Sequence, residues 1–225
     1  MDHPILFLDL LFGKLNLPIP PHVSYAVLVS LILLGLGMLA GKKISMVPTG
    51  AQNVFELIVG GLEDFMVEIT GEEGRAFYPY ICCVFLFIMT CNLVGLIPGF
   101  FSPTANINTT LALALCTFMY THYLGIKYHG AKYIKHFLGP IPALAPLFLP
   151  IEIIGHFARV LSLTLRLFGN IMGEDLVLAI LLFLAGMFLA PLPMMFLAVF
   201  TSVVQAFVFT LLSMMYFAGS MEHAH

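Results

Sequence analysis

Five apolar runs constrain the fold of this chain more than any other feature. A helix needs about 20 residues to cross about 30 Å of hydrocarbon. Of the 225 residues, 60% are hydrophobic and 9% are charged, whereas a soluble domain carries about 25% charged residues. The sequence therefore predicts an all-α, polytopic membrane protein that forms one integral domain in the lipid bilayer over residues 1–225. The five predicted transmembrane helices cover residues 23–40, 77–98, 107–126, 151–189 and 194–219.

The last two predicted helices form a hairpin, because only Pro191, Pro193 and a few neighbouring residues separate them. A sixth segment, 50–70, has apolar residues at helical spacing opposite acidic ones such as Glu63 and Glu68. This pattern predicts an amphipathic helix. Since membrane-surface helices usually carry a basic polar face, this helix either packs on protein or lies in the interface through its apolar stripe alone.

Loop charges predict the orientation of the chain, because Lys and Arg concentrate on the cytoplasmic side of a membrane. The loop after the second predicted helix and the turn of the hairpin contain neither residue type. We therefore expect the N-terminus outside and the C-terminus in the cytoplasm. The basic residues that set this orientation are Lys42, Lys43, Arg75, Lys127, Lys132 and Lys135.

Several function classes are excluded. The net charge is −3 and no basic cluster is present, so nucleic acid is not a partner. The four cysteines lie in apolar runs without CxxC spacing, and no nucleotide-binding loop, HExxH pair or GxSxG elbow occurs. An intramembrane hydrolase would need a nucleophile with its base or two facing aspartates, and the sequence offers neither. We expect no metal, no cofactor and no enzymatic activity.

A polar stripe marks the predicted helix 151–189. Charged groups inside a membrane cost about 2.5–3.5 kcal/mol each on insertion scales and mark ion pathways or partner sites. At about 100° per residue, six of these side chains fall within an arc of about 80°, and the stripe is about 33 Å long. It is predicted to line a route across the membrane. Its members are Glu152, His156, Arg159, Arg166, Asn170, Glu174 and Asp175.

Arg166 has no acidic neighbour on its own helix. No acid lies three or four positions away on its helix, and the central turns of the other predicted helices contain none. An arginine stays protonated because its pKa exceeds about 12. We therefore expect a partner protein that supplies a membrane-buried carboxylate.

The other polar residues have both structural and functional interpretations. Glu152, His156 and Arg159 either form internal ion pairs or belong to the ion pathway. Gln205 is the strongest candidate to hydrogen-bond the arginine, with core packing as its alternative. Asn92 either lines a cavity or forms an interhelical hydrogen bond.

The run LTLRLFGN at residues 163–170, with Gly173-Glu174 after it and Gln205-Ala206-Phe207 in the last helix, resembles subunit a of the F-type ATP synthase membrane sector. The similarity extends to NLVGLIP at residues 92–98 and to the five-helix plan. It covers nearly the whole chain, and the LRLFGN run is highly specific to that family.

The resemblance implies a non-catalytic stator subunit of a bacterial plasma membrane. Such a subunit presents two offset ion half-channels to a rotating ring of c subunits and assembles with the peripheral-stalk b subunits. It also implies that the hairpin lies tilted along the ring, which suits a helix about 58 Å long. Arg166 matches the essential arginine that couples proton translocation to rotation. Asn170, Glu174 and Gln205 match half-channel or arginine-supporting positions, and Glu152 matches an acidic position near the other channel.

One position departs from the pattern of some members. Ala198 stands seven residues before Gln205, where those members have histidine, so the acid–base role of the outer channel is expected to rest on Glu174 or Asp175. A self-contained ion channel or secondary transporter that uses the same stripe is the alternative function. Such transporters often contain inverted repeats, which this sequence does not show.

Overall fold

A computed structural model describes residues 20–41, 51–97, 99–130, 133, 145–185 and 191–221. All regular elements in these ranges are helical, which confirms the predicted all-α class. Two 3-10 turns cover Glu72–Ala76 and Pro103–Ala105. The described α-helices are α1 Pro21–Gly41, α2 Ala51–Thr70, α3 Tyr78–Gly95, α4 Ile107–His129, α5 Ala145–Ala185 and α6 Pro191–Met221.

Four of the described helices are long and apolar enough to cross a membrane, which makes this a multi-pass membrane protein. These spans are Pro21–Leu39, Tyr78–Gly95, Leu149–Leu184 and Leu192–Met221. Helix α4 has 23 residues, so it is long enough, but its threonines and its basic residues lower its apolar character. Its crossing of the membrane stays a prediction.

Helices α5 and α6 begin earlier than the sequence predicts, at Ala145 and Pro191 rather than at residues 151 and 194. The difference lies at prolines, which the sequence prediction places before both helices. A helix tolerates proline in its first turn, where the backbone N–H groups have no intrahelical partner. Pro150 lies one turn inside α5 and removes only one hydrogen bond.

Some predictions concern residues outside the described ranges. Among them are the predicted helix ends at residues 98 and 186–189 and the C-terminal residues 222–225. The loop lysines Lys42, Lys43, Lys132 and Lys135 also lie there.

Helix α6 is the central element of the bundle, and α2, α3, α4 and α5 all pack against it. Its buried side chains recur every three to four residues, as a stripe facing the core requires. Phe217 shows the packing, since its ring lies 5.4 Å from Phe77 and 5.3 Å from Tyr120. The buried stripe of α6 contains Ala198, Ser202, Gln205, Ala206, Phe209, Thr210, Ser213, Met214, Phe217 and Met221.

Helices α5 and α6 pack antiparallel. Asn170 contacts Gln205, and Arg159 lies over the ring of Tyr216. Moving 11 residues towards the N-terminus of α5 thus moves the contact 11 residues towards the C-terminus of α6. The predicted helical hairpin is therefore continuous over at least three turns of each helix.

Candidate polar pathway along helix α5

Helix α5 has one buried and one open side. Leu163, Leu167 and Ile171 are buried against the bundle, whereas Arg166 and Asn170 are exposed. At about 100° per residue, Asn170 is rotated by about 40° from Arg166. This rotation brings Asn170 to the edge of the packed face and leaves Arg166 outside it.

Arg166 is an unpaired cation on the open side of α5. Among the described residues it forms no ion pair with an acidic side chain. The surface beside it is low in the sense that no side chain protrudes at positions 169 and 173. Gly169 and Gly173 are exposed, and a Cβ at either position would meet no atom within 4 Å. Nothing in the described part of the chain covers this side of the helix at the arginine.

Gln205 pairs with Asn170 and not with Arg166. Nδ2 of Asn170 donates to Oε1 of Gln205 at 2.7 Å, and Gln205 is only 4% exposed. The expectation of a direct hydrogen bond to the arginine is therefore wrong. The reason is the rotation of Arg166 away from the contact between α5 and α6.

Asn92 joins α3 to the segment before α4 and to α6. Its Oδ1 accepts from Oγ1 of Thr104 at 2.6 Å, and its Nδ2 donates to the carbonyl oxygen of Ser202 at 3.4 Å. The Ser102 and Thr104 hydroxyls are 2.7 Å apart, and Ser102 also donates to the carbonyl of Cys91. Of the two readings of Asn92, the geometry is that of an interhelical hydrogen bond.

This segment approaches α3 closely at Gly95. A Cβ on Gly95 would lie 2.4 Å from Cβ of Ser102, so only glycine permits the contact. Helix α1 holds the same segment through Tyr25, whose hydroxyl donates to the carbonyl of Gly99 at 3.2 Å. The 3-10 turn Pro103–Ala105 is thus anchored among several helices.

Two buried polar atoms next to Asn170 and Asn92 have no hydrogen-bond partner among the described residues: Oγ of Ser202 and Nε2 of Gln205. Both belong to the buried stripe of α6. A buried donor without a partner costs about 1–3 kcal/mol, so this is a place that favours a water or a passing polar group. We call Asn92, Thr104, Asn170, Ser202 and Gln205 the amide cluster.

A second group of polar residues lies towards the N-terminus of α5. Nε2 of His156 is 3.4 Å from Oε1 of Glu152, and the His156 ring centroid is 4.9 Å from that of His122 on α4. Nδ1 of His122 is 2.8 Å from the Tyr133 hydroxyl. We call His122, Tyr133, Glu152, His156 and Arg159 the histidine cluster.

A small cavity of about 10 Å³ adjoins the histidine cluster, which is about the space that one water needs. His156, Arg159, Thr117 and Thr121 supply its polar lining, and Tyr216 closes it from α6. The Arg159 guanidinium lies 5.6 Å from the centre of the Tyr216 ring. His156 and Arg159 therefore line a cavity between three helices, and Glu152 adjoins it through His156.

Two residues of the histidine cluster, His122 and Tyr133, were not among the site residues predicted from the sequence. The signal for His122 was a titratable side chain inside a predicted membrane helix, which by itself marks a functional site. Tyr133 lies beyond the end of α4, and no periodicity in the sequence connects it to His122.

Glu174 and Asp175 lie one turn beyond Asn170, and both are half-buried. On α6, the buried residue at position 198 is an alanine, Ala198, which has no titratable side chain. Among the described residues no group of three His, Cys, Asp or Glu side chains is placed to hold a metal ion.

The two clusters lie on opposite sides of Arg166 along α5. Asn170 is four residues after Arg166, or about 6 Å along the helix, and His156 is ten residues before it, or about 15 Å. The histidine cluster is at the end of the bundle that holds Lys127 and the C-terminus of α4. The amide cluster is at the end where the connecting segments lack Lys and Arg.

Comparisons with known proteins agree along the whole chain. The sequence model of the ATP synthase A chain family matches residues 23–218. A relative from Syntrophobacter fumaroxidans named ATP synthase subunit a is 61% identical over 239 residues, with 100% of both chains covered. Proteins of the same name from Desulfosudis oleivorans and Citrifermentans bemidjiense are 57% and 52% identical, again with both chains covered in full, at 100%.

Proposed function

This chain belongs to the ATP synthase A chain family, and we propose that it is the non-catalytic stator subunit of the membrane sector of a rotary ATP synthase. In this role it forms two ion half-channels beside a ring of c subunits and assembles with the peripheral-stalk b subunits. Arg166 is its coupling residue.

One observation carries the proposal. Arg166 is an exposed arginine without a carboxylate partner among the described residues, and it stands between two polar clusters that do not contact one another. An arginine on the membrane side of a helix needs an anionic partner, because an isolated charge in hydrocarbon is costly. A carboxylate on a ring that moves past this surface meets that need.

The chemistry follows from the cost of charge in lipid. A ring carboxylate that faces lipid must be neutral, whereas beside Arg166 it is stable as an anion, because an opposite charge lowers its pKa. Each carboxylate therefore releases its proton before it reaches the arginine and takes up another after it passes. The fixed cation also repels protons that would otherwise leak directly from one half-channel to the other.

The two clusters supply the two half-channels. We assign the histidine cluster, with Glu152, His156 and Arg159, to the cytoplasmic half-channel, because it lies at the Lys-rich end of the bundle. The amide cluster belongs to the opposite half-channel, with Glu174 and Asp175 as its titratable groups. In this assignment the N-terminus is outside and the C-terminus is cytoplasmic.

Asn170 and Gln205 have a supporting role in this mechanism. Their hydrogen bond fixes α5 against α6 one turn from Arg166, and it leaves Nε2 of Gln205 without a partner among the described residues. That buried donor suits a water between α5 and α6. The pair holds the arginine's helix in place while the ring moves.

The test is Arg166→Ala in the complete synthase, reconstituted in inverted vesicles. We expect normal assembly and ATP hydrolysis but loss of ATP-driven proton pumping. Arg75→Ala is the matched control, because Arg75 is an exposed surface arginine paired with Glu72 at 3.1 Å, and it should pump normally. Normal pumping by Arg166→Ala would contradict the proposal, and proton conduction by the purified chain alone would favour a self-contained channel.

A further inference from the structure

Two imidazoles from different helices meet beside the cavity. The ring centroids of His122 on α4 and His156 on α5 are 4.9 Å apart, at an interplanar angle of 62°. Phe118 packs edge-on against both rings, with centroid distances of 4.2 Å and 5.7 Å. The two histidines therefore contact one another, and both pack against Phe118.

Each histidine has a further polar partner on its outer side. Oε1 of Glu152 is 3.4 Å from Nε2 of His156. The Tyr133 hydroxyl is 2.8 Å from Nδ1 of His122. This hydroxyl can donate to a neutral imidazole or accept from a charged one, so it serves both protonation states of His122.

Gly125 places Tyr133 in this position. A Cβ on Gly125 would lie 2.3 Å from Cε2 of the Tyr133 ring, and Tyr133 is only 8% exposed. Burial raises the pKa of the Tyr133 phenol, so it stays neutral and keeps its proton. The absence of a side chain at Gly125 thus lets the Tyr133 ring pack closely against α4, with its hydroxyl next to His122.

The charges that face the two histidines come from several elements. Helix α5 supplies Glu152 and Arg159. Tyr133, beyond the end of α4, supplies one phenol, and Tyr216 of α6 supplies a second. Among the described groups that face the pair, Glu152 is the one carboxylate, and Arg159 adds a positive charge. Two charged imidazoles with ring centroids 4.9 Å apart would repel one another.

We propose that His122 and His156 act as a shared proton relay in the cytoplasmic half-channel, with Tyr133 as a positioning residue. A hydronium ion gives its proton to His122, so that an O–H bond breaks as an N–H bond forms. His122 then releases a proton as His156 gains one, directly or through a water in the cavity, and His156 passes it to water that leads to the ring carboxylate. The pair gains one proton on uptake and loses it on release, so it returns to its starting state. The proposal rests on the proposed function, which places this cluster in the ion path.

The relay predicts a specific dependence on cytoplasmic pH, because histidine is the side chain whose ordinary pKa lies between about 5 and about 8. The test uses the complete synthase in inverted vesicles, with the external pH varied from about 5.5 to about 8.5. His122→Gln and His156→Gln should each slow ATP-driven pumping by about tenfold, equal to about 1.4 kcal/mol in the barrier, and flatten its pH profile.

The double variant should be no slower than either single variant, since residues that act as a unit are not additive. His129→Gln is the matched control, because His129 is on the same helix and its Nε2 is 3.1 Å from the carbonyl oxygen of Ser220. It should keep both the rate and the pH profile. The relay is overturned if the His122 and His156 variants behave as the His129 variant does.

Tyr133→Phe keeps the proposal testable if a histidine variant does not assemble. It removes one hydroxyl and keeps the ring, and it should shift the pH profile without loss of assembly, whereas an unchanged profile argues against the relay. Arg166→Ala, measured in parallel, separates the two proposals. If it abolishes pumping while the histidine variants pump normally, the proposed function stands and only the relay is wrong.

Discussion

The side-chain amide of Asn170 donates a 2.7 Å hydrogen bond to Oε1 of Gln205 and so joins α5 to α6 one turn beyond Arg166. Gln205 is buried and Asn170 is exposed, so the bond connects the bundle interior to its open side. The same bond determines which atom of Gln205 is left to donate. The bond fixes the position of α5 against α6 one turn from Arg166.

The strength of this bond can be measured with a double-mutant cycle of Asn170→Ala and Gln205→Ala. Interhelical hydrogen bonds in membrane proteins contribute about 0.6 kcal/mol on average and up to about 1.7 kcal/mol, and we expect a coupling energy in this range. Unfolding by SDS in mixed micelles measures it. Ser213→Ala replaces Gln205→Ala in a control cycle, and it should give no coupling, because within the described ranges the Ser213 hydroxyl donates to its own helix, at the carbonyl of Phe209.

Thr104→Val should destabilise the fold by about 1–3 kcal/mol, because it leaves the buried Asn92 oxygen without its 2.6 Å donor. The two side chains are nearly equal in shape, so the loss reports the hydroxyl. Thr210→Val is the matched control: Thr210 is also fully buried, at 0% exposure, but it donates only to Ala206 of its own helix. Equal losses in the two variants, measured by SDS unfolding, would show that the Asn92 network adds no stability.

Gly125→Ala should cost about 1–3 kcal/mol through overpacking, because the new methyl group would displace the Tyr133 ring. The cost should disappear in a Tyr133→Ala background, where the ring is absent. Gly35→Ala is the control, since a Cβ there meets nothing within 4 Å. It should be neutral or stabilising by up to about 1 kcal/mol, from the higher helix propensity of alanine. An equal cost of Gly125→Ala with and without the tyrosine ring would disprove the contact.

The predicted orientation can be tested with a cleavable tag after His225. A protease added to inverted vesicles should remove the tag, and the same protease added to right-side-out vesicles should not, because the basic loops favour a cytoplasmic C-terminus. A tag placed before Met1 should give the opposite pattern. Cleavage of the C-terminal tag from the outside would reverse the assignment of both half-channels.

The sequence predicted the helical class well, because membrane spans follow from length and apolar composition alone. Helical spacing also determines which residues of α5 share a side, but the route across the membrane along the polar stripe stays a prediction. The starts of α5 at Ala145 and of α6 at Pro191 differ from the prediction because a helix tolerates proline in its first turn, and because α5 continues through Pro150 with the loss of one backbone hydrogen bond.

Contacts between elements were less predictable. His122 and His156 are far apart in the chain, and only the packing of α4 on α5 brings their rings together. Gln205 was expected to reach Arg166, but a rotation of about 40° between positions 166 and 170 gives the contact to Asn170. The requirement for glycine at position 125 is visible only when Tyr133 is seen to fold back on α4.

The low surface at Gly169 and Gly173 has a mechanical consequence for a stator. A rotor that turns against this helix has many identical protrusions, and each would strike a large stator side chain once per passage. In the proposed function, glycine at these two positions leaves no side chain on that part of the helix for a passing rotor to strike. The proposal then assigns the contact with the rotor at this point to the charge of Arg166.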